Sequence, residues 1–302
     1  MNTPLVSVVV ATYHREKDLG RALESLIAQD YPALEIVLVD DNGDPGWNET
    51  VAGIAEEVLS RTDRVLFQRL VNCPNQGSAE TRNIGIRAAR GEYVTFLDDD
   101  DEYLPQKVSR QLRAMVDAEA DYSLTDLLLY LEDGKLTDRR IRTYLQNAAQ
   151  KDLLTYHLMY HLTGTDTMMF RTDYLLRIGG FPPIDVGDEF YLMKEAITEG
   201  GKFCYLPGCD VKAYVHLGET GGLSSGERKI EGENQLYRFK QTLFQQVDGK
   251  TRRYIRMRHY AVLAFAEVRR KHYSAFFKNG VLAFLSAPVA CVGLLCGRAK
   301  GR

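Results

Sequence analysis

An α/β fold built on a mostly parallel, doubly wound sheet is predicted by three features of this 302-residue sequence. Apolar β-branched runs alternate with stretches of helical periodicity through residue 103. The connections between them are short. Polar clusters rich in acids follow the runs, where a parallel sheet presents its carboxyl edge and collects ligands.

The elements follow in order. Residues 5–11 (LVSVVVA) read as a buried strand. Leu19, Ala22, Leu23, Leu26 and Ile27 mark a helix closed by Pro32, and EIVLVD (35–40) is a second strand. Val51, Ile54, Ala55, Val58 and Leu59 mark another helix. A third strand is expected over 64–70, a third helix over 78–90 and a fourth strand over 92–97. Beyond residue 104 the pattern loosens. A helix is expected over 104–120, with strands 122–131 and 135–142 about the Asp133-Gly134 turn. TMMFR (167–171) reads as a short strand, followed by a helix and the Gly179-Gly180-Phe181-Pro182 turn. Residues 188–199 predict an amphipathic helix and 211–216 a strand. LGETGGLSSG (217–226) reads as a mobile loop, and from 230 onward the pattern is helical.

Composition is that of an ordinary globular chain, 45% hydrophobic and 26% charged. Five cysteines without a C-x-x-C pair argue against a disulfide framework or a zinc site and for a reducing compartment. The stretch MNTPLVSVVVATYHRE has no basic region ahead of its apolar run, so a signal peptide is not expected and a cytoplasmic site is. The net charge of −3 is uneven: residues 250–302 hold twelve Lys or Arg and one acid, Glu267, a net +11 that leaves −14 for the rest. A basic segment on an acidic body suggests an anionic partner.

Four strand ends converge on one rim, bearing Thr12 to His14, Asp40 to Asn42, Asn72 to Ser78 and Asp98 to Asp101. Consecutive carboxylates repel one another, and a divalent cation reverses that cost because hard oxygen ligands suit Mg²⁺ and Mn²⁺. The competing reading is a solvated acidic turn capping the next helix. Asp41 likewise reads either as a turn residue or as an acceptor for a nucleotide's base or ribose. No G-x-G-x-x-G follows the first strand and no G-x-x-x-x-G-K-[ST] occurs, so a metal ion is the natural partner for bound phosphates.

SVVVATYHRE, IVLVDDNGD, NQGSAETRNIGIRAARGEYVTFLDDDD, FRTDYLLRIGGFP and GDEFYLMKEA together resemble family 2 glycosyltransferases of the GT-A fold, over roughly residues 5–225. That resemblance implies a Rossmann-like sheet flanked by helices, and an inverting transfer of sugar from a nucleotide diphosphate donor, a UDP-sugar. It implies Thr12 and Tyr13 at the uracil and ribose pocket, Asp41 on the base, and Asn75, Gly77 and Arg82 in a segment closing over the nucleotide. Asp98 and Asp100 match the D-x-D motif, with Asp98 and Asp99 facing the donor and Asp100 the metal, Mn²⁺ or Mg²⁺. His216 resembles a metal-side histidine in a loop near the diphosphate. Asp188 matches the catalytic base, with Glu189 as its alternate. Held by backbone N–H groups at a helix start, Asp188 is expected to be a weak, always ionised base.

The implied organisation is a catalytic domain over 1–228, with a nucleotide half (1–103) and an acceptor half (104–228), then a helical basic extension over 229–302. Residues 281–296 carry no charge but are too short to span a bilayer, which takes ~20 residues, and Pro288 interrupts them. With flanking cations they suggest a membrane-associating segment over 273–298, against the plainer reading of a packed helix. The expected acceptor is a glycan or lipid-linked hydroxyl in cell-surface polysaccharide or glycoconjugate synthesis, at the inner face of the membrane. No nucleic-acid recognition motif accompanies the basic residues. The rival readings are a sugar nucleotidyltransferase, which would want a glycine-rich basic loop after the first strand, and a non-catalytic nucleotide-sugar-binding protein.

Overall fold

The structure, a computed structural model, describes residues 3–146, 148–184, 187–216 and 226–300. They fall into two compact units. The first comprises the chain up to Gln150 with Thr163–Ile184 and Asp188–Val215; the second comprises Lys151–Leu162, Gly187 and the described residues from His216 onward.

In the first unit the described strands form one sheet. They are β1 (Val6–Thr12), β2 (Leu34–Asp40), β3 (Val65–Val71), β4 (Tyr93–Asp98), β5 (Glu102–Tyr103), β6 (Tyr122–Leu131), β7 (Leu136–Arg140), β8 (Met168–Arg171) and β9 (Phe203–Val215). The order is β3-β2-β1-β4-β8-β6-β9-β5, with β7 on β6. The first four strands are parallel, and β8 turns the sheet antiparallel on both of its sides. This reversal brings the entry to β8 beside the exit from β4, so residues just before Met168 join those just after Leu97.

Helices α1 (Leu19–Ile27), α2 (Pro45–Leu59), α3 (Ser78–Ala88) and α4 (Lys107–Asp117) belong to this unit. Helix α5 (Leu153–Tyr160) belongs to the second unit, while α6 (Thr172–Arg177) and α7 (Asp188–Thr198) return to the first. Both faces of β1 are covered, which explains its unbroken apolar run. Val6, Val8 and Val10 pack in a core with Leu19, Leu23 and Leu26 of α1. On the other face α3 comes so close that a Cβ on Gly85 would lie 2.4 Å from Val9 Cγ1.

One expectation needs correction. The strand expected at 211–216 begins at Phe203, because Pro207-Gly208 reads as a turn but is absorbed by an irregularity in the β6–β9 register, where Thr125 faces Leu206 and Asp126 faces Cys209. The Gly208 N–H donates to Asp126 Oδ2 at 3.1 Å across this gap.

The second unit continues with α8 (Gly226–Thr242), α9 (Gly249–Arg269), α10 (Tyr273–Ser286) and α11 (Pro288–Lys300). Met257 and Ala261 of α9 pack against Ala283 and Cys291. No described helix is long and apolar enough to cross a membrane. Of the loop expected over 217–226, residues 217–225 lie outside the described residues.

The Gly85 contact gives a test. Gly85→Val should cost about 1–3 kcal/mol of stability by overpacking the α3–β1 interface. It would be read as a lower urea midpoint with unchanged slope. An unchanged midpoint would mean that the close approach is not needed.

Candidate active site

The carboxyl ends of β1 to β4 supply the site. After β1, Thr12 is buried and its carbonyl accepts from the Asp41 N–H at 3.0 Å. Tyr13 is half exposed; its N–H donates to Asp99 Oδ2 at 3.2 Å, and its ring stacks on His14 at 4.0 Å. His14 stacks in turn on Trp47 of α2 at 4.5 Å. The three rings form a short aromatic shelf above the end of β1.

After β2, buried Asp41 ties down the following loop. Its Oδ1 accepts from Asn72 Nδ2 at 2.7 Å and Gln76 N–H at 2.8 Å, and its Oδ2 from Gly77 N–H at 3.0 Å. Asn75 Nδ2 donates to the Asp41 carbonyl at 2.8 Å. Asp41, Asn75 and Gly77 are thus brought together, and the loop leads directly into α3.

Arg82, one turn into α3, stands between two acids. Its Nη2 donates to Asp98 Oδ1 at 2.7 Å and its Nη1 to Asp188 Oδ2 at 3.0 Å. Its guanidinium also lies 5.4 Å from the Phe181 ring centre. Burial alone would lower its pKa, but Asp98 and Asp188 outweigh that and hold it firmly charged. Asn83 clamps the same helix to the Gly179-Gly180 turn: its Oδ1 accepts from Phe181 N–H at 2.8 Å and its Nδ2 donates to the Phe181 carbonyl at 2.7 Å. Gly180 has φ +70°, and a Cβ there would sit 2.5 Å from Asn83 Oδ1, so glycine is required.

The acids after β4 have separate surroundings. Asp100 pairs with Arg15 at 3.1 Å, and its carbonyl accepts from Arg21 at 2.7 Å. Asp101 Oδ1 accepts from the Tyr214 N–H at 2.8 Å. Asp98 N–H donates to Asp166 Oδ1 at 2.7 Å. Asp98, Asp101 and Asp166 each offer an oxygen within 4.8 Å of the others. Behind them lies fully buried Lys107, which donates to Tyr103 Oη at 2.7 Å and to Thr95 Oγ1.

Burial pushes Asp99 up to about 8, with Asp100 adding to the effect, and Asp166 up to about 7, with Asp98 adding. Burial also raises Asp101 well above the usual carboxylate range, reinforced by Asp166. Asp188 is raised to about 7 by burial despite the opposing pull of Arg82. This corrects the expectation of an always ionised base: desolvation outweighs the helix start and the guanidinium.

Asp166 was missed in the sequence. Its signal was present, an acid just before an apolar strand, but only the antiparallel return of β8 shows that it meets the acids leaving β4. Asp188 opens α7, the helix start expected for it, and the structure sets it beside Arg82, which the sequence did not foretell. His216 follows β9 directly and belongs to the second unit.

The donor set suits a hard divalent cation. Burial and mutual repulsion make negative charge costly at Asp101 and Asp166, beside Asp98 and its Arg82 partner, until another cation joins them. Arg15, paired with Asp100, offsets part of the negative charge next to this centre.

A family model described as Glycosyl transferase family 2 matches residues 7–176. A Campylobacter jejuni relative, GalNAc(5)-diNAcBac-PP-undecaprenol beta-1,3-glucosyltransferase, is 37% identical over 106 residues, 35% of this chain and 33% of the relative. The chain spans about half the length of the curated relatives it matches. Among solved structures, S. aureus TarS 1-349 in complex with UDP-GlcNAc has a TM-score of 0.60 at 19% identity, over 96% of this chain and 83% of that one. Mannosyltransferase PcManGT from Pyrobaculum calidifontis, in complex with GDP-Man and Mn²⁺, has a TM-score of 0.61 at 18% identity, over 99% and 81%. At these identities the likeness speaks for the fold, the GT-A arrangement.

The raised carboxyls set a pH dependence of stability. Between about pH 4 and 8 the folded state holds protons that the unfolded chain has released, so their contribution favours folding at the acidic end and is lost as pH rises through the folded values. Without divalent cations the melting temperature should fall from about pH 5 to about pH 8, and added Mn²⁺ should raise it more at the upper end. Asp166→Asn should flatten part of the fall and reduce the Mn²⁺ response. Parallel curves for the two proteins would contradict the assignment of a shared charge centre.

Proposed function

The chain belongs to glycosyl transferase family 2, and from that premise we propose an inverting, metal-dependent transfer of sugar from a UDP-sugar to a hydroxyl of a glycan or lipid-linked acceptor. The setting is cell-surface polysaccharide or glycoconjugate synthesis at the cytoplasmic face of the membrane. The C. jejuni relative, named for an undecaprenol-linked acceptor, supports the lipid-linked option, and the TarS complex with UDP-GlcNAc supports the uridine donor. Residues 1–228 are the catalytic part in this reading, with the donor on 1–103 and the acceptor on 104–228.

The observation that carries the reading is the Arg82 bridge, which sets Asp188 and Asp98 on one guanidinium. A donor-side acid and a proton acceptor are thereby held on either side of a single fixed cation. Asp188 takes the proton from the acceptor hydroxyl as that oxygen attacks the anomeric carbon, and the bond from that carbon to the diphosphate oxygen breaks with inversion. A folded-state value of about 7 suits this role, since a base poised near the working pH both accepts and releases protons readily. Thr12 and Tyr13 line the base and ribose pocket, Asp41 faces the base, and Asn75 and Gly77 belong to the loop that Asp41 holds. Asp98 and Asp99 face the donor. Asp100, with the trio Asp98, Asp101 and Asp166, would hold Mn²⁺ or Mg²⁺. The ion would supply charge neutralisation for the departing diphosphate. Family membership and the absence of a glycine-rich loop after β1 argue against nucleotidyl transfer.

Asp188→Asn should leave donor binding intact and lower turnover by roughly 10²–10⁴-fold. In the parent, kcat/KM should rise with pH through about 7 as Asp188 loses its proton, and this limb should vanish in the variant. Glu189→Gln is the control. If it, rather than Asp188→Asn, removed the limb, the base would be Glu189.

A further inference from the structure

Helix α10 carries Tyr273, Phe277, Val281, Phe284 and Leu285 on one side. At 100° per residue these positions fall within an arc of roughly 120°. All five are exposed, Phe277 at 66% and Leu285 at 70%, and Val289 at the start of α11 is 88% exposed. The opposite side is already satisfied, since Ala283 is buried against Met257 and Ala261 of α9, in one cluster with Cys291 of α11. A helix that faces water on its outer side carries polar residues there. This one places small residues inside and large apolar ones outside.

The surrounding charge is one-sided. From residue 268 to 302 the chain has seven Lys or Arg and no acid. Arg269 and Lys271, just ahead of α10, and Lys278, one position round the helix from Leu285, are exposed. A second copy docking through the same face would set these cations against their own symmetry mates, which costs energy. An anionic lipid surface takes both the charge and the apolar stripe.

We propose that α10 and the start of α11 lie flat in the interface of an anionic bilayer. The Tyr273–Leu285 stripe and Val289 enter the headgroup–acyl boundary, and Arg269, Lys271 and Lys278 meet lipid phosphates. The attachment is monotopic: α10 has 14 residues and a length of about 21 Å, and it lies along the surface. This names the structural means of the membrane placement proposed above, and rests on that placement only in its choice of occupant. Sugar transfer does not enter the test, so either idea can fail alone.

The test is cosedimentation of the full chain with vesicles of phosphatidylcholine, with and without one-third phosphatidylglycerol. The chain should bind the mixed vesicles, bind neutral ones far less, and lose part of its affinity at high salt. Phe277→Ser with Leu285→Ser should weaken binding at least roughly tenfold, since both side chains leave the apolar phase. Lys271→Gln with Lys278→Gln should remove most of the preference for phosphatidylglycerol. Both pairs are exposed, so circular dichroism should match the parent. Equal vesicle binding by the serine pair and the parent would overturn the proposal. So would a parent dimer that the serine pair dissolves while neither protein binds vesicles.

Discussion

One buried guanidinium governs the first unit. Arg82 reaches Asp98, 16 residues on, and Asp188, 106 residues on. Several carboxyl groups buried together repel one another and lose hydration. A cation fixed among them, backed by the Phe181 ring, offsets part of that cost. Its position depends on things with no charge at all: Gly85, which lets α3 settle on β1, and Asn83, which fastens the helix to the turn after α6. The acids can be clustered because a helix without a side chain at one position can lie close to the sheet.

The parallel half of the fold was legible because each element there obeys local rules. Val6, Val8 and Val10 alternate with residues of the opposite face, and Leu19, Leu23 and Leu26 keep helical spacing. Strand β9 was half hidden, since Pro207-Gly208 is a turn signal that the β6 partner overrides by skipping register. The site divided in the same way. Acids adjacent in sequence, Asp98 to Asp101, announced themselves, and the motif drew attention to Arg82 and Asp188. The resemblance gave Arg82 to the nucleotide, however, and nothing local showed that it joins Asp188 to Asp98. Asp166 was out of reach because its significance comes from an antiparallel strand returning from 68 residues away. Protonation was misjudged for a related reason: a helix start can be read in a sequence, but the depth of burial that outweighs it at Asp188 cannot.

The raised values of Asp99, Asp166 and Asp188 describe a centre that gives up some stability to keep its acids together. A group that is half protonated near neutrality responds to whatever approaches it. A cation draws the proton off, and a hydroxyl can pass one to it. The same burial that weakens the fold makes these side chains responsive.

Asp41 carries a consequence for the loop that follows β3. A carboxylate offers about four lone-pair positions, and at Asp41 the amide of Asn72 and the N–H groups of Gln76 and Gly77 already fill three of them. Most of that carboxylate is therefore spent inside the protein, where the side chain is buried. Its removal would strand three donors at once and release the loop that leads into α3. The stance of Arg82 is thus set in part from the end of β2, by a side chain that does not touch it.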